Sequence, residues 1–138
     1  MNDLVPSPGV QGAPATRDFF VNEDGLRFAG IHLLIEFWGG KNLNRASLIE
    51  STLRLSAKAA GANILSIHTH NFSPRGVTGI AVLEESHISI HTWPEHDFAA
   101  VDIFMCGNCD PHAAIGPLKT ALEPEKIVLS EHRRGILV

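Results

Sequence analysis

The chain has 138 residues, 44% of them hydrophobic and 19% charged, with a formal net charge of −4 when histidine is neutral. This length and composition predict one globular domain with a single core. The negative charge argues against a nucleic-acid-binding protein, and no apolar run approaches the ~20 residues of a membrane span. Without a secretory signal at the start, the two cysteines predict reduced thiols in the cytoplasm.

The N-terminal residues are rich in proline and glycine and have little apolar periodicity, which is typical of a disordered tail. Phe19 and Phe20 mark where order begins, because adjacent aromatic rings are rarely left in water. We therefore assign residues 1–28 to a largely disordered tail and residues 29–138 to a single domain.

The first regular elements are a strand and a helix. The apolar run Ile31 to Trp38 predicts a central strand covered on both faces. Ser47 and Glu50 have the spacing of a capping box, and the apolar residues that follow recur at helical spacing until Gly61.

Apolar runs separated by short turns then predict four strands, at residues 64–72, 77–84, 86–92 and 98–106. Asp110 and Pro111 have the residue types of a helix start, and Gly116-Pro117 should kink that helix or shift its beginning.

A last strand is predicted at residues 125–131, which completes the order β-α-β-β-β-β-α-β. Short turns favour antiparallel neighbours. The predicted fold is therefore α+β, a two-layer sandwich with helices on one face of a mostly antiparallel sheet.

Alternation along the predicted strands places histidine and aromatic residues on one face of the sheet. The groups that share this parity are His87 with Ser89 and His91; His68 with His70 and Phe72; His32 with Glu36 and Trp38; and Asp102 with Phe104 and Cys106. Such a face is rarely left bare, so we expect substrate and a second copy of the chain to cover it, sheet against sheet.

The stretch from Phe72 to Gly107 resembles the prokaryotic S-adenosylmethionine decarboxylase family. It carries, in order, Glu-Ser-His at 85–87, Ile-His-Thr-Trp-Pro-Glu at 90–95, Ala-Ala-Val-Asp-Ile-Phe at 99–104, and Cys106-Gly107. The resemblance extends more loosely over residues 30–132. Members of this family are proenzymes that cleave themselves and then use a pyruvoyl cofactor.

The resemblance implies a self-cleavage between Glu85 and Ser86. The Ser86 hydroxyl would attack the Glu85 carbonyl, with help from Thr78 and from His91, which would handle protons. Residues 1–85 would become a β chain and residues 86–138 an α chain, with Ser86 converted to the pyruvoyl group.

In turnover, the resemblance implies a Schiff base between the pyruvoyl group and the amine of S-adenosylmethionine. Cys106 would return a proton after carbon dioxide leaves, Phe72 would stack on the adenine, and Glu95 would hold the ribose hydroxyls. The product would be the aminopropyl donor of spermidine biosynthesis. We expect a cytoplasmic dimer of cleaved protomers, with two α and two β chains and no metal, nucleic acid or membrane partner.

The sequence leaves other functions open. Threonine at 78 replaces the serine usual in the family, and residues 66–71 are unusually polar. The same scaffold would serve an arginine or ornithine decarboxylase, with Glu36, Asp102 or Glu95 pairing with the cationic side chain. Two non-enzymatic alternatives are an uncleaved partner subunit and a zinc-binding module. The candidate zinc ligands are His68, His70, Cys106 and Cys109.

Strict alternation also turns Ser86 to the opposite face from His91, although the proposed cleavage uses both residues. This conflict predicts a local irregularity, or a break, between Glu85 and Ser86.

Overall fold

A computed structural model of the chain describes residues 19–138. Within this range the elements, in chain order, are β1 (Val21–Glu23), β2 (Leu26–Phe28), β3 (Gly30–Trp38), α1 (Ala46–Ala59), β4 (Ile64–Asn71), β5 (Val77–Leu83), β6 (Ser86–Trp93), a 3₁₀ turn (Pro94–His96), β7 (Phe98–Cys106), a second 3₁₀ turn (Pro111–Ala114), α2 (Ile115–Leu122) and β8 (Lys126–Arg134). None of the described helices is long and apolar enough to cross a membrane.

The main sheet has six strands in the order β4-β5-β6-β7-β3-β8, and every neighbouring pair is antiparallel. Helices α1 and α2 pack against each other, and α1 also packs on β4 and β5. The predicted α+β two-layer sandwich is confirmed.

The core lies between the helices and one face of the sheet. Strand β7 shows the alternation most clearly, because Ala99, Val101, Ile103 and Met105 are at most 1% exposed whereas the residues between them are half-buried. Within residues 19–138 no helix covers the other face of the sheet, and this open face carries the histidines predicted from parity.

Helix α1 begins differently from the sequence prediction. Arg45 occupies the N-cap position, and no side chain caps the helix. The start is set earlier, by a turn in which Asn42 has φ +62° and its carbonyl accepts from the Arg45 N–H. Ser47 therefore lies inside the first helical turn, and the predicted Ser47–Glu50 capping box is wrong.

Order extends into the segment assigned to the tail. Strands β1 and β2 form an antiparallel hairpin, and Phe28 at its end is completely buried. Arg133 of β8 donates to Glu23 at 2.8 Å, which ties the hairpin to the domain. The predicted boundary between residues 28 and 29 therefore assigns an ordered hairpin to the tail. Residues 1–18 lie outside the described residues.

The second helical segment begins as predicted from its sequence. Asp110 accepts a hydrogen bond from the His112 N–H at 3.1 Å, which caps the 3₁₀ turn. Helix α2 starts only at Ile115, so Pro117 falls in its first turn, where a missing N–H costs no hydrogen bond. The sequence predicted that Gly116-Pro117 would shift the start of this helix, and that shift is confirmed.

Candidate active site

The bond expected to be cleaved lies in the tight hairpin between β5 and β6. Glu84 and Glu85 form the turn, and Ser86 opens β6. Ser86 has φ +133°, a conformation that residues with a side chain rarely adopt. Its register partners, Leu83 and Met105, are both buried on the helix side. The predicted irregularity at this bond is confirmed.

The Glu85 carbonyl is already held by a hydrogen-bond donor. The backbone N–H of Cys106 donates to it at 3.0 Å, because the end of β7 lies beside the β5–β6 turn. A backbone N–H in this position stabilises negative charge that develops on a carbonyl oxygen during attack. The geometry therefore favours nucleophilic attack on the Glu85 carbonyl carbon.

Two thiols lie near this turn, and neither is in a disulfide. Burial, and secondarily the charges of Glu85 and Cys106, raise the pKa of Cys109 to about 11. The Cys109 thiol also donates to the Gly61 carbonyl, with the sulfur 3.5 Å from the oxygen. Cys109 is therefore a protonated thiol at neutral pH and a poor nucleophile.

A second group of predicted residues lies at the other end of the hairpin. Thr78 Oγ1 and His91 Nδ1 are 2.9 Å apart, on paired positions of β5 and β6. Phe72 follows β4 and is 49% exposed, with the His70 ring edge-on at 4.6 Å between centroids. Glu95 is exposed in the 3₁₀ turn directly after β6.

The loop that carries Phe72 is held by the segment before α1 and by Thr92 of β6. Asn44 Oδ1 accepts from the Gly76 N–H at 2.8 Å. Thr92 Oγ1 accepts from the Val77 N–H at 2.8 Å and donates to the Leu43 carbonyl at 2.7 Å. These contacts fix the position from which the Phe72 ring projects.

The two groups do not meet within one chain. Ser86 pairs with Leu83 and His91 with Thr78, so five residues of β6, about 16 Å of strand, separate them. We call Glu85, Ser86 and Cys106 the cleavage half-site, and Phe72, Thr78, His91 and Glu95 the proton-handling half-site. The seven predicted residues thus fall at opposite ends of one sheet.

Between the half-sites, His32, His87 and Asp102 converge on the open face, with one ligand-type atom of each within 4.8 Å of the others. Arg134 donates to His32 Nδ1 at 3.0 Å, so the neutral ring carries its proton on Nε2. That atom lies 3.5 Å from Asp102 Oδ2 and makes no aligned hydrogen bond. A proton, rather than a lone pair, faces the carboxylate. The geometry thus opposes a metal here, and the absence of a metal stays a prediction.

His87 belongs to the same cluster. Burial, and then the neighbouring His32, lower the pKa of His87, while Asp102 opposes the shift. The ring is therefore predominantly neutral at neutral pH.

The alternative zinc ligands are not brought together. His68 and His70 lie on edge strand β4, whereas Cys106 ends β7 and two strands lie between them. Among the described residues, the only group of three or more His, Cys, Asp or Glu side chains within metal-binding reach is the one formed by His32, His87 and Asp102.

Sequence reasoning missed two residues at the site. Asn63 binds the Glu85 carboxylate through its backbone N–H at 2.9 Å and its Nδ2 at 3.1 Å. Arg134 contacts His32 from the last residue of β8. Both contacts join residues distant in sequence, so no local pattern indicated them; only the doublet Arg133-Arg134 stood out as a basic feature.

Comparison with known proteins identifies the family of the chain. The family model described as S-adenosylmethionine decarboxylase matches residues 31–135. A proenzyme of that name from Methanococcus maripaludis is 49% identical over 115 residues, which cover 81% of this chain and 94% of the relative. Another from Thermotoga petrophila is 41% identical over 113 residues, covering 80% and 87%.

A solved structure is also similar. The crystal structure of the adenosylmethionine decarboxylase from Aquifex aeolicus superimposes with a TM-score of 0.73 at 38% identity, over 80% of this chain and 94% of that one. The family-model match spans residues 31–135, a range that contains all seven residues of the two half-sites. The chain therefore belongs to the S-adenosylmethionine decarboxylase family.

Proposed function

We propose that this chain is a self-processing S-adenosylmethionine decarboxylase that cuts its own Glu85–Ser86 bond. The observation that carries the proposal is the arrangement at that bond. Ser86 holds φ +133° while the Cys106 N–H binds the carbonyl that its hydroxyl must attack. The strained residue and the preorganised donor serve the same chemical step.

The cleavage begins as an acyl shift. Ser86 Oγ adds to the Glu85 carbonyl carbon, the C–N bond breaks, and an ester joins the two residues. Removal of the Ser86 α-proton expels the main-chain carboxylate of Glu85, which becomes the new C-terminus of residues 1–85, and leaves dehydroalanine at residue 86. Its imine tautomer takes up water and releases ammonia, which leaves the pyruvoyl group on residue 86.

The residues present fit the formation and use of this cofactor. When bound, the pyruvoyl group supplies an electron sink for the decarboxylation of an amino acid. Cys106, beside residue 86 on the neighbouring strand, is the proposed donor of the proton that replaces carbon dioxide. Phe72 is proposed to stack on the adenine and Glu95 to bind the ribose hydroxyls.

His91 and Thr78 are proposed to act on the Ser86 of a second copy of the chain. Their hydrogen bond at 2.9 Å orients the His91 ring, but about 16 Å of strand separates them from their own Ser86. In an isologous dimer, a two-fold axis across the open faces would set the cleavage half-site of one protomer against the proton-handling half-site of the other.

The composition of the open face supports such a dimer. Its apolar side chains are exposed by 36–42% each: Leu34, Trp38, Ile80, Val82, Trp93 and Val128. Partly exposed large apolar side chains on an uncovered sheet face are typical of a subunit interface. The assembly we propose is a dimer of cleaved protomers, with two α and two β chains.

The substrate we propose is S-adenosylmethionine rather than arginine or ornithine, since both relatives above carry that name. The product would donate aminopropyl groups in spermidine biosynthesis. We place the enzyme in the cytoplasm, where its two thiols stay reduced.

The test combines intact-mass spectrometry with substrate assays. The purified protein should give two chains in place of one of 15.0 kDa, with a pyruvoyl end on the shorter one. It should release carbon dioxide from S-adenosylmethionine and not from arginine or ornithine. The variant Ser86→Ala should remain one chain and be inactive. An uncut, inactive wild-type protein would refute the proposal.

A further inference from the structure

Glu85, the residue before the proposed cleavage bond, has a buried side chain that is hydrogen-bonded at both carboxylate oxygens. Glu85 is only 5% exposed. Asn63, in the link between α1 and β4, donates to one carboxylate oxygen from its backbone N–H and to the other from its Nδ2, at 2.9 and 3.1 Å. The Asn63 carbonyl also accepts from the Glu84 N–H at 3.0 Å. Asn63 therefore binds the turn through three hydrogen bonds.

The hydrogen bonds from Asn63 satisfy the buried carboxylate of Glu85. Among residues 19–138, no lysine, arginine or histidine forms an ion pair with the Glu85 carboxylate. A buried carboxylate without donors is strongly unfavourable, so it would turn outward if Asn63 were lost. The amide of Asn63 is thus matched to a carboxylate that the fold keeps close to the cleavage bond.

The same residue fixes the orientation of the peptide to be cut. Glu85 is held at its carboxylate by Asn63 and at its carbonyl by the Cys106 N–H. With Glu85 anchored at both positions, the positive φ of Ser86 cannot relax by rotation of the preceding residue. Attack by Ser86 Oγ depends on this orientation, because small displacements of reacting atoms cost large factors in rate.

We propose that Asn63 is a positioning residue for the self-cleavage: through the Glu85 carboxylate it holds the Glu85 carbonyl in the orientation that Ser86 attacks. This role rests on the proposed function, and it belongs to processing rather than to turnover. Nothing in the contacts of Asn63 reaches the substrate residues Phe72 or Glu95.

A charge swap tests the contact. Asn63→Asp sets two carboxylates against each other. Glu85→Gln keeps both contacts, because its amide oxygen still accepts from the Asn63 backbone N–H and the flipped Asn63 amide accepts from its NH₂ group. The double variant Asn63→Asp/Glu85→Gln restores a donor facing an acceptor. Cleavage of freshly translated precursor is followed over time by intact mass. We expect Asn63→Asp to slow cleavage by at least about 10-fold and Glu85→Gln by less than about 3-fold, with the double variant recovering most of the loss seen in Asn63→Asp.

Matched controls separate positioning from a general effect of charge or stability. Asn63 and Glu85 line a cavity of about 200 Å³, and the exposed residue Asn108 lines it too. Asn108→Asp makes the same change at that residue and should cleave at the wild-type rate. Leu53→Ala destabilises the core far from the turn, and it should cleave normally below its unfolding temperature. Once cut, the Asn63 variants should show the wild-type kcat and KM.

The outcomes distinguish this inference from the proposed function. If the wild-type precursor is never cut, the proposed function fails. If the wild type is cut and Asn63→Asp is cut equally fast, only the role of Asn63 is refuted. A double variant as slow as the slower single variant, or Asn108→Asp as slow as Asn63→Asp, would also overturn it.

Discussion

Cys106 contributes two different groups to the site. Its backbone N–H binds the Glu85 carbonyl at 3.0 Å, while alternation along β7 turns its side chain to the open face. We propose that the backbone contact serves cleavage and that the side chain serves turnover. A side-chain substitution therefore separates the two reactions.

We predict that Cys106→Ala still cleaves itself, slowed by less than about 10-fold, because alanine keeps the N–H that binds the carbonyl. Decarboxylation per cleaved chain should fall by about 10²–10⁴-fold, which is typical of a lost general acid. Intact mass reports the first quantity and carbon dioxide release the second. Equal loss of both would show that the thiol is required for cleavage itself.

His87 makes the stability of the domain depend on pH. Its pKa is lowered in the folded protein, so between that value and 6.5 the unfolded chain binds more protons than the folded one. The free energy of unfolding should therefore fall as the pH drops below about 6.5. Urea unfolding from pH 7.5 to 5 measures this slope. The variant His87→Asn should have a shallower slope than the wild type, and an unchanged slope would contradict the assignment.

The irregularity at Ser86 could be predicted from the sequence, because it follows from a conflict in strand parity. The distance between Ser86 and His91 was equally readable from a continuous strand, yet the family roles of the two residues invited a single-chain site. The contact between Asn63 and Glu85 was beyond prediction. It depends on how the end of α1 packs against a turn 22 residues away.

Helix α1 packs closely on β5. Leu53 is completely buried, and its methyl group would lie 3.0 Å from a Cβ added at Gly79. Glycine at that position lets the helix approach the sheet closely. Leu53 should therefore dominate the stability of this layer.

We predict that Leu53→Ala lowers the free energy of unfolding by about 2–5 kcal/mol, since it removes a buried side chain and leaves a cavity. Leu55→Ala on the same helix should change it by less than about 0.5 kcal/mol, because Leu55 is 58% exposed. Chemical denaturation measures both. Similar losses in the two variants would mean that the exposed face of α1 is covered by another part of the protein.

Strand positions could be predicted well because alternation is enforced along each strand by the core. Strands β3 to β7 lie within one or two residues of their predicted bounds. Helix starts depend on the turn that precedes them. The turn at Asn42 and the burial of Phe28 are set by tertiary contacts, which is why the capping box and the tail boundary differ from prediction.

At the scale of the whole molecule, the separation of the two half-sites is the dominant fact. One end of the sheet holds the Glu85–Ser86 bond, the proposed cleavage site, and the other end holds the Thr78–His91 pair. The open face between them is apolar enough to pair with another copy. Neither end is a complete site in one chain, so assembly should precede cleavage.

Co-expression of two inactive variants tests this account most directly. In a mixed dimer of Ser86→Ala and His91→Ala chains, one composite site has both an intact Ser86 and an intact His91. Differently tagged chains, purified through both tags, confirm that mixed dimers are present.

We predict by intact-mass spectrometry that the His91→Ala chain is cut only in the mixed dimer, that the Ser86→Ala chain is never cut, and that each variant alone stays whole. An uncut His91→Ala chain in mixed dimers, under conditions in which the wild type is fully cut, would contradict a site shared between two chains.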